Sequence, residues 1–239
     1  MKIILSFLLT VGLVTPSWAD DSKPFENLDY PELQVVPRAT ERLAQLAQLE
    51  QESAFLNQWT LLASGAMTLL AGTQSKGKYK ENPSNQEKKD ADLAANLATG
   101  IGAGWVVVGS YLAFKKPAAN GLSGVRKMST KDRRADLARE RWAEEAMESA
   151  SNLQTTLSNM AVVTNLAASV LLTSQASDDQ TRTYGLLAAT TSLLPWVFPS
   201  IYNVSYKKHL EYKRKIYAPL VWMDLKGHDS AQMNLSWSF

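Results

Sequence analysis

Charged and uncharged residues alternate along this chain in long blocks, and the sequence of blocks runs twice. A charged, alanine- and leucine-rich stretch, Arg38 to Glu52, gives way to an uncharged one, Ser53 to Ser75. A lysine-rich loop holding Asn82-Pro83-Ser84-Asn85 leads to a second uncharged stretch, Leu93 to Phe114, which Lys115-Lys116-Pro117 ends. The order then restarts: charged from about Ser129 to Glu148, uncharged from Ser149 to Ser177, a short loop at Asp178-Asp179, uncharged from Thr183 to Tyr206, then Lys207-Lys208. Good helix formers dominate, and neither Gly nor Pro occurs between Ala39 and Ser64. That composition predicts one continuous helix from Ala39 to Thr73, about 52 Å long at 1.5 Å per residue.

The restart holds residue by residue. Leu56, Trp59, Leu70 and Gln74 align with Leu157, Met160, Leu171 and Gln175 at a constant offset of 101. In the second arms Ala98-Thr99, Trp105-Val106 and Tyr111 align with Ala189-Thr190, Trp196-Val197 and Tyr202 at an offset of 91. Self-similarity at a fixed period marks a duplication. The expected fold is mainly α: two tandem long helical hairpins in a four-helix arrangement, with a short C-terminal β-hairpin. The boundaries that follow are a signal peptide at 1–19, an extended lead at 20–37, hairpin repeats at 38–116 and 129–217, a linker at 117–128 and the β-hairpin at 218–239.

Polar and small residues inside the uncharged stretches recur every fourth position. Thr60, Ser64, Thr68 and Gly72 fall four apart, as do Ala161, Asn165, Ser169 and Thr173 at the aligned positions. Ala94, Ala98 and Gly102 keep the same step, and Gly100 with Gly104 forms a further pair. Residues four apart share one helical face, so these stripes are expected to be helix contacts where backbones approach closely and hydroxyls or amides bond across. All four uncharged stretches reach 22 residues or more, the length of a membrane span. Leu93 to Phe114 and Thr183 to Tyr206 are the persuasive ones, although Pro195 and Pro199 interrupt the latter. Trp59, Trp105, Tyr111, Trp196, Tyr202 and Tyr206 are candidate interfacial anchors. The positive-inside expectation conflicts with four ordinary inner-membrane spans. The two loops hold only Lys76, Lys78, Lys80, Lys88, Lys89 and Arg182, while most Lys and Arg lie on the side of the mature N-terminus.

Both ends carry targeting patterns. Lys2, the apolar run Ile3 to Val14 and Ser17-Trp18-Ala19 have the layout of a cleavable secretory signal. At the other end Ala231, Met233, Leu235, Trp237 and Phe239 alternate with Gln232, Asn234, Ser236 and Ser238, the period of an amphipathic strand. Leu220 to Leu225 reads as its partner across the turn Lys226-Gly227-His228-Asp229. The run Asn234-Leu235-Ser236-Trp237-Ser238-Phe239 resembles the C-terminal sorting signal of Gram-negative outer-membrane proteins over about ten residues. The resemblance implies the outer membrane. A barrel needs at least about eight strands where this chain offers two or three, so a closed one would require several subunits.

The remaining chemistry is sparse. Net charge is +2, which does not suggest a nucleic-acid partner, and cysteine is absent, which excludes thiol chemistry. His209 and His228 lack metal-ligand spacing and read as a basic tail and a turn residue. Gly100, Gly102, Gly104 and Gly109 do not make a dinucleotide loop, because Trp105 stands where the third glycine belongs and no strand precedes them. Glu140, Glu144, Glu145 and Glu148, interleaved with Arg139 and Arg141, read as an exposed charged face. No cofactor, metal or catalytic group is expected. The expected role is a non-enzymatic structural or assembly component of the bacterial cell envelope, partnered by membrane lipid and by copies of itself or other envelope proteins. A pore or transport component and a soluble periplasmic binding bundle are the alternatives.

Overall fold

The structure, a computed structural model, describes residues 36–217, together with Leu33 and the backbone of residues 220–225 and 231–236. The expected signal at 1–19, nearly all of the lead, and Trp237 and Phe239 of the C-terminal strand lie outside these; of Leu235 only the backbone is described.

The described molecule is mainly helical. Its helices are α1 (Ala39–Glu52), α2 (Trp59–Ser75), α3 (Asn85–Lys115), α4 (Pro117–Arg126), α5 (Arg133–Gln175), α6 (Asp179–Ser192), α7 (Leu194–Val197) and α8 (Ile201–Tyr217). Their starts follow local chemistry. Ser84 Oγ accepts from Glu87 N at 3.2 Å while Glu87 Oε2 accepts from Ser84 N at 2.8 Å, a reciprocal cap on α3. Asp132 and Asp178 cap α5 and α6 by accepting from Ala135 N and Thr181 N, each at 2.6 Å.

Three expectations about continuity need correction. The helix expected from Ala39 to Thr73 breaks after Glu52, where Ser53 leaves helical geometry at φ −138° and a short 3-10 turn (Leu56–Gln58) intervenes. Neither Gly nor Pro causes it. Asn57 Nδ2 adds a second bond, at 3.3 Å, to the carbonyl of Leu49 that already accepts from Ser53 N, and Phe55 packs edge-on against Phe114, ring centroids 5.5 Å apart, so side chains hold the bend. The expected linker 117–128 is largely a helix instead. Lys116 takes the left-handed conformation (φ 47°) that ends α3, and Pro117, which has no N–H to lose, opens α4 at once. Finally, Thr183 to Tyr206 is not one span: α6 stops at Ser192, and α7 and α8 are set off by the bends at Pro195 and Pro199. Among the described residues, two helical runs are long and apolar enough to cross a membrane by length and composition, Asn85–Arg126 and Arg133–Gln175.

The helices pack into two clusters joined by α5, which at 43 residues is about 65 Å long. The C-terminal half of α5 forms a four-helix bundle with α2, α3 and α6, in which α2 touches the other three while α3 and α6 flank it on opposite sides. The N-terminal half joins α1, α4 and α8 in a head whose core is Leu43, Leu46 and Ala47 of α1, Ala118 and Val125 of α4, Ala143 and Met147 of α5, and Tyr202 of α8.

Positions about 100 residues apart lie at the same height in both clusters. Thr40 Oγ1 donates to Glu140 Oε1 at 2.7 Å, Asn165 Nδ2 donates to Ser64 Oγ at 2.7 Å, and Lys78 Nζ reaches Asp178 Oδ2 at 3.5 Å. The first arms of the two halves therefore run parallel and level.

Candidate functional site

The bundle has its polarity reversed relative to a water-soluble one. Its interior sets many small and polar side chains beside Leu61, Val162, Leu172 and Trp105: Ser64, Thr68, Asn165, Ser169 and Ser192 are all at 0% exposure, among Ala95, Ala98, Ala161 and Ala188. Its outer surface carries large apolar ones. Leu93, Leu97, Val107, Tyr111 and Phe114 of α3, Met160, Val163, Val170 and Leu171 of α5, and Leu186, Leu187 and Leu193 at α6 are exposed, many more than half. Water would drive such residues inward.

The sequence-derived stripe falls on the inward side. Thr60, Ser64, Thr68, Gly72, Ala94, Ala98, Gly102, Ala161, Asn165 and Ser169 are buried, and Thr173 is half-buried. α2 and α3 come closest where glycines face each other's backbone. A Cβ on Gly102 would land on the backbone of Leu69 and Gly65, and one on Gly72 would sit 2.5 Å from Thr99 N. In the α5–α6 pair the small residue changes sides: Gly185, which aligns with Ala94, makes room for Thr173, which aligns with Gly72. The Gly100–Gly104 pair, expected as a contact, faces outward instead: a Cβ on either residue would meet nothing within 4 Å. Two residues along a helix turn a side chain by about 200°, which places this pair opposite Gly102.

Many hydroxyls in the bundle find an acceptor within their own helix, while Thr181 Oγ1 and Asn165 Oδ1 are buried without a hydrogen-bond partner. Thr68, Ser75, Thr99, Ser169, Thr173, Thr190 and Thr191 each donate to the carbonyl four residues earlier, at 2.6–3.0 Å. Trp105 Nε1 donates to Thr164 Oγ1 at 2.8 Å and Trp196 Nε1 to Asn159 Oδ1 at 3.0 Å. Back-bonded hydroxyls and paired indoles are the arrangement an apolar surrounding requires.

Exposed aromatic rings gather where the bundle meets the head. Phe55 lies against Phe114, Trp59 against Phe198 with centroids 5.3 Å apart, and Lys115 Nζ sits 5.5 Å from the ring centroid of Tyr111. Of the six anchors expected from sequence, Trp59, Tyr111 and Trp196 belong to this collar. Trp105 and Tyr202 are instead buried and Tyr206 half-buried, because the first packs in the bundle core and the other two dock α8 on the head.

Two polar networks in the head were not legible in the sequence. Glu50, 1% exposed, accepts from Ala118 N at 3.2 Å, Ala119 N at 2.8 Å and Tyr202 Oη at 2.6 Å. Its carboxylate thus caps α4 from another helix, and burial together with Glu50 raises the Tyr202 hydroxyl far above the usual tyrosine range. The second network corrects the reading of 140–148 as a wholly exposed face. Glu140 is buried and accepts from Thr40, while Glu144 accepts from Lys213 Nζ at 2.8 Å and lies 2.7 Å from His209 Nε2. His209 is accordingly 2% exposed, not part of a loose basic tail. Burial pushes the Glu144 carboxyl up, but the bonds from His209 and Lys213 outweigh it and hold the group below its ordinary value. The periodicity of α5 and α8 carries no signal for either pairing, which depends on helices 65 or more residues apart.

Among the described residues no group of three or more His, Asp or Glu is placed to hold a metal ion. No protein-family model matches this chain, and neither a curated protein nor a solved structure does.

Proposed function

We propose that this chain is a non-enzymatic structural or assembly component of the bacterial cell envelope, held in a membrane by its four-helix bundle. The observation that carries the reading is the reversed polarity of the bundle, with Ser64, Thr68, Asn165 and Ser169 inside and leucine, valine and aromatic side chains outside. Helices in lipid associate through small-residue packing and interhelical hydrogen bonds; the glycine-lined α2–α3 seam is of the first kind and the Asn165–Ser64 bond between α5 and α2 of the second. The level pairing of positions about 100 residues apart supports duplication with the two halves side by side about an axis along the helices, a known arrangement of membrane repeats.

The full burial of Asn165 and Ser169 favours a packed seam over a water-filled path, and so favours assembly over transport. For the destination, the antiparallel backbone register of Leu220–Leu225 with Ala231–Ser236, Val221 opposite Leu235, supports a C-terminal β-hairpin over these residues, immediately before the sorting-like Trp237 and Phe239 in sequence. That hairpin favours the outer membrane and gives copies of the chain, or other envelope proteins, a strand edge to meet.

The mature protein is expected to stay with membranes through a carbonate wash, and cysteines at positions 165 and 169 to resist small water-soluble thiol reagents while one at Arg182 reacts. A protein that washes off as a soluble monomer would sink the membrane reading, and rapid labelling at 165 and 169 would replace the packed seam with a pore.

A further inference from the structure

We propose that the junction of α7 and α8 is a binding site for an anionic phospholipid, with the phosphate held by Lys207 and Lys208. The inference rests on the membrane reading above and specifies which lipid the protein selects and where. At this junction an open groove of 370 Å³ is lined by Pro199, Asn203, Val204, Lys207, Lys208 and Glu211. Trp196, Val197 and Phe198, all about half exposed or more, lie immediately before it in the chain. The surface therefore passes from apolar to basic over a short distance along one run of chain. From Ile201 to Lys208 the helix rises about 10 Å at 1.5 Å per residue. The polar layer of a bilayer leaflet is roughly 5–8 Å deep, the difference between the full and hydrocarbon thicknesses shared over two sides. With Phe198 at the hydrocarbon edge and α8 along the bilayer normal, the backbones of Lys207 and Lys208 stand just beyond that layer, and their long side chains reach back to the phosphates.

Charge selects the occupant. Neither lysine has an acidic partner among the described residues, so both ammonium groups are open to a phosphate. Glu211 on the same wall leaves the groove one positive charge in excess, the complement of a singly charged anionic headgroup. Asn203 is held in the groove wall, where its Oδ1 accepts from Ser151 Oγ at 2.8 Å and Thr155 Oγ1 at 3.2 Å and ties α8 to α5. The break at Pro199 is what opens the groove: it ends α7 and lets α8 lean onto the head, leaving the ring and Val204 as an apolar floor for the glycerol end of an acyl chain.

The test titrates phosphatidylglycerol, and separately phosphatidylethanolamine, into the detergent-solubilised full chain and counts bound lipid by native mass spectrometry. Lys207→Gln with Lys208→Gln is expected to weaken phosphatidylglycerol binding on the order of tenfold or more, since each lysine near a phosphate is worth about 1 kcal/mol. Lys88→Gln with Lys89→Gln, at the far end of the bundle, is expected to leave it unchanged. Equal binding by all three proteins would overturn the site, as would a preference for phosphatidylethanolamine, which would assign Glu211 to its ammonium. A carbonate wash of the same double variant separates the two readings: retention with unaltered lipid binding overturns only this site, and release of the unaltered protein overturns the membrane reading and the site together.

Discussion

On α3, glycines two residues apart face different surroundings. Gly102 is pressed against the backbone of α2, whereas Gly100 and Gly104 meet nothing within 4 Å. Gly102→Ala is expected to destabilise the bundle by about 1–3 kcal/mol, because the obstacle is backbone and cannot swing aside. Gly104→Ala adds a methyl to an open helix face and is expected to gain about 0.5–1 kcal/mol from helix propensity. Thermal unfolding in one detergent, followed by circular dichroism, compares them; equal behaviour would mean that α2 and α3 do not meet at Gly102. The four-residue spacing made both sets legible as stripes in the sequence. It did not say which stripe faces protein, since Ala94-Ala98-Gly102 and Gly100-Gly104 carry the same pattern on opposite sides.

Helices themselves were legible in the blocks of uncharged residues, but their ends were not. Lys115-Lys116-Pro117 reads as a terminator and is one, yet the same proline opens α4, a helix of only ten residues that holds Gly121 and Gly124 and so resembles a linker. What holds α4 in place is Glu50, whose contribution depends on a contact spanning 68 residues. Glu50→Ala is expected to cost about 3 kcal/mol or more, since each buried donor left without its acceptor costs roughly 1–3 kcal/mol. It strips two N–H groups at the α4 N-terminus of their acceptor and leaves Tyr202 Oη unpaired. Hydrogen exchange should show α4 losing protection before α2 and α3; uniform loss across all helices would remove Glu50 from its role as the cap. The bend at Ser53 was illegible for a similar reason, because Phe55 and Asn57 make it with partners on α3 and α1 rather than with a breaker residue.

The molecule as a whole divides its stabilising chemistry between its two clusters. The bundle interior is uncharged, while the head is fastened by carboxylates, and acid should act on them differently. Glu144 has its folded-state value held below that of the unfolded chain, so its stabilising contribution is complete above the ordinary glutamate range, near 4.3, and fades as pH falls through the lower folded-state value. Acidification from just above about pH 4.3 downward is therefore expected to loosen α8 on α5 while the bundle stays folded. Exchange protection along α8 measures this. Glu144→Gln should weaken α8 protection at neutral pH and flatten its dependence over that interval; an unchanged profile would place the acid sensitivity elsewhere.

Because α5 runs unbroken from the tip loops to the far side of the head, in the proposed membrane placement its orientation in the bilayer becomes position outside it. Its head portion, 133–148, extends about 24 Å beyond the uncharged part. A tilt of about 20°, common for helices adjusting to bilayer thickness, would sweep the end of that portion sideways by roughly 8 Å. The membrane's thickness would then set where the head meets its neighbours, with α5 as the pointer.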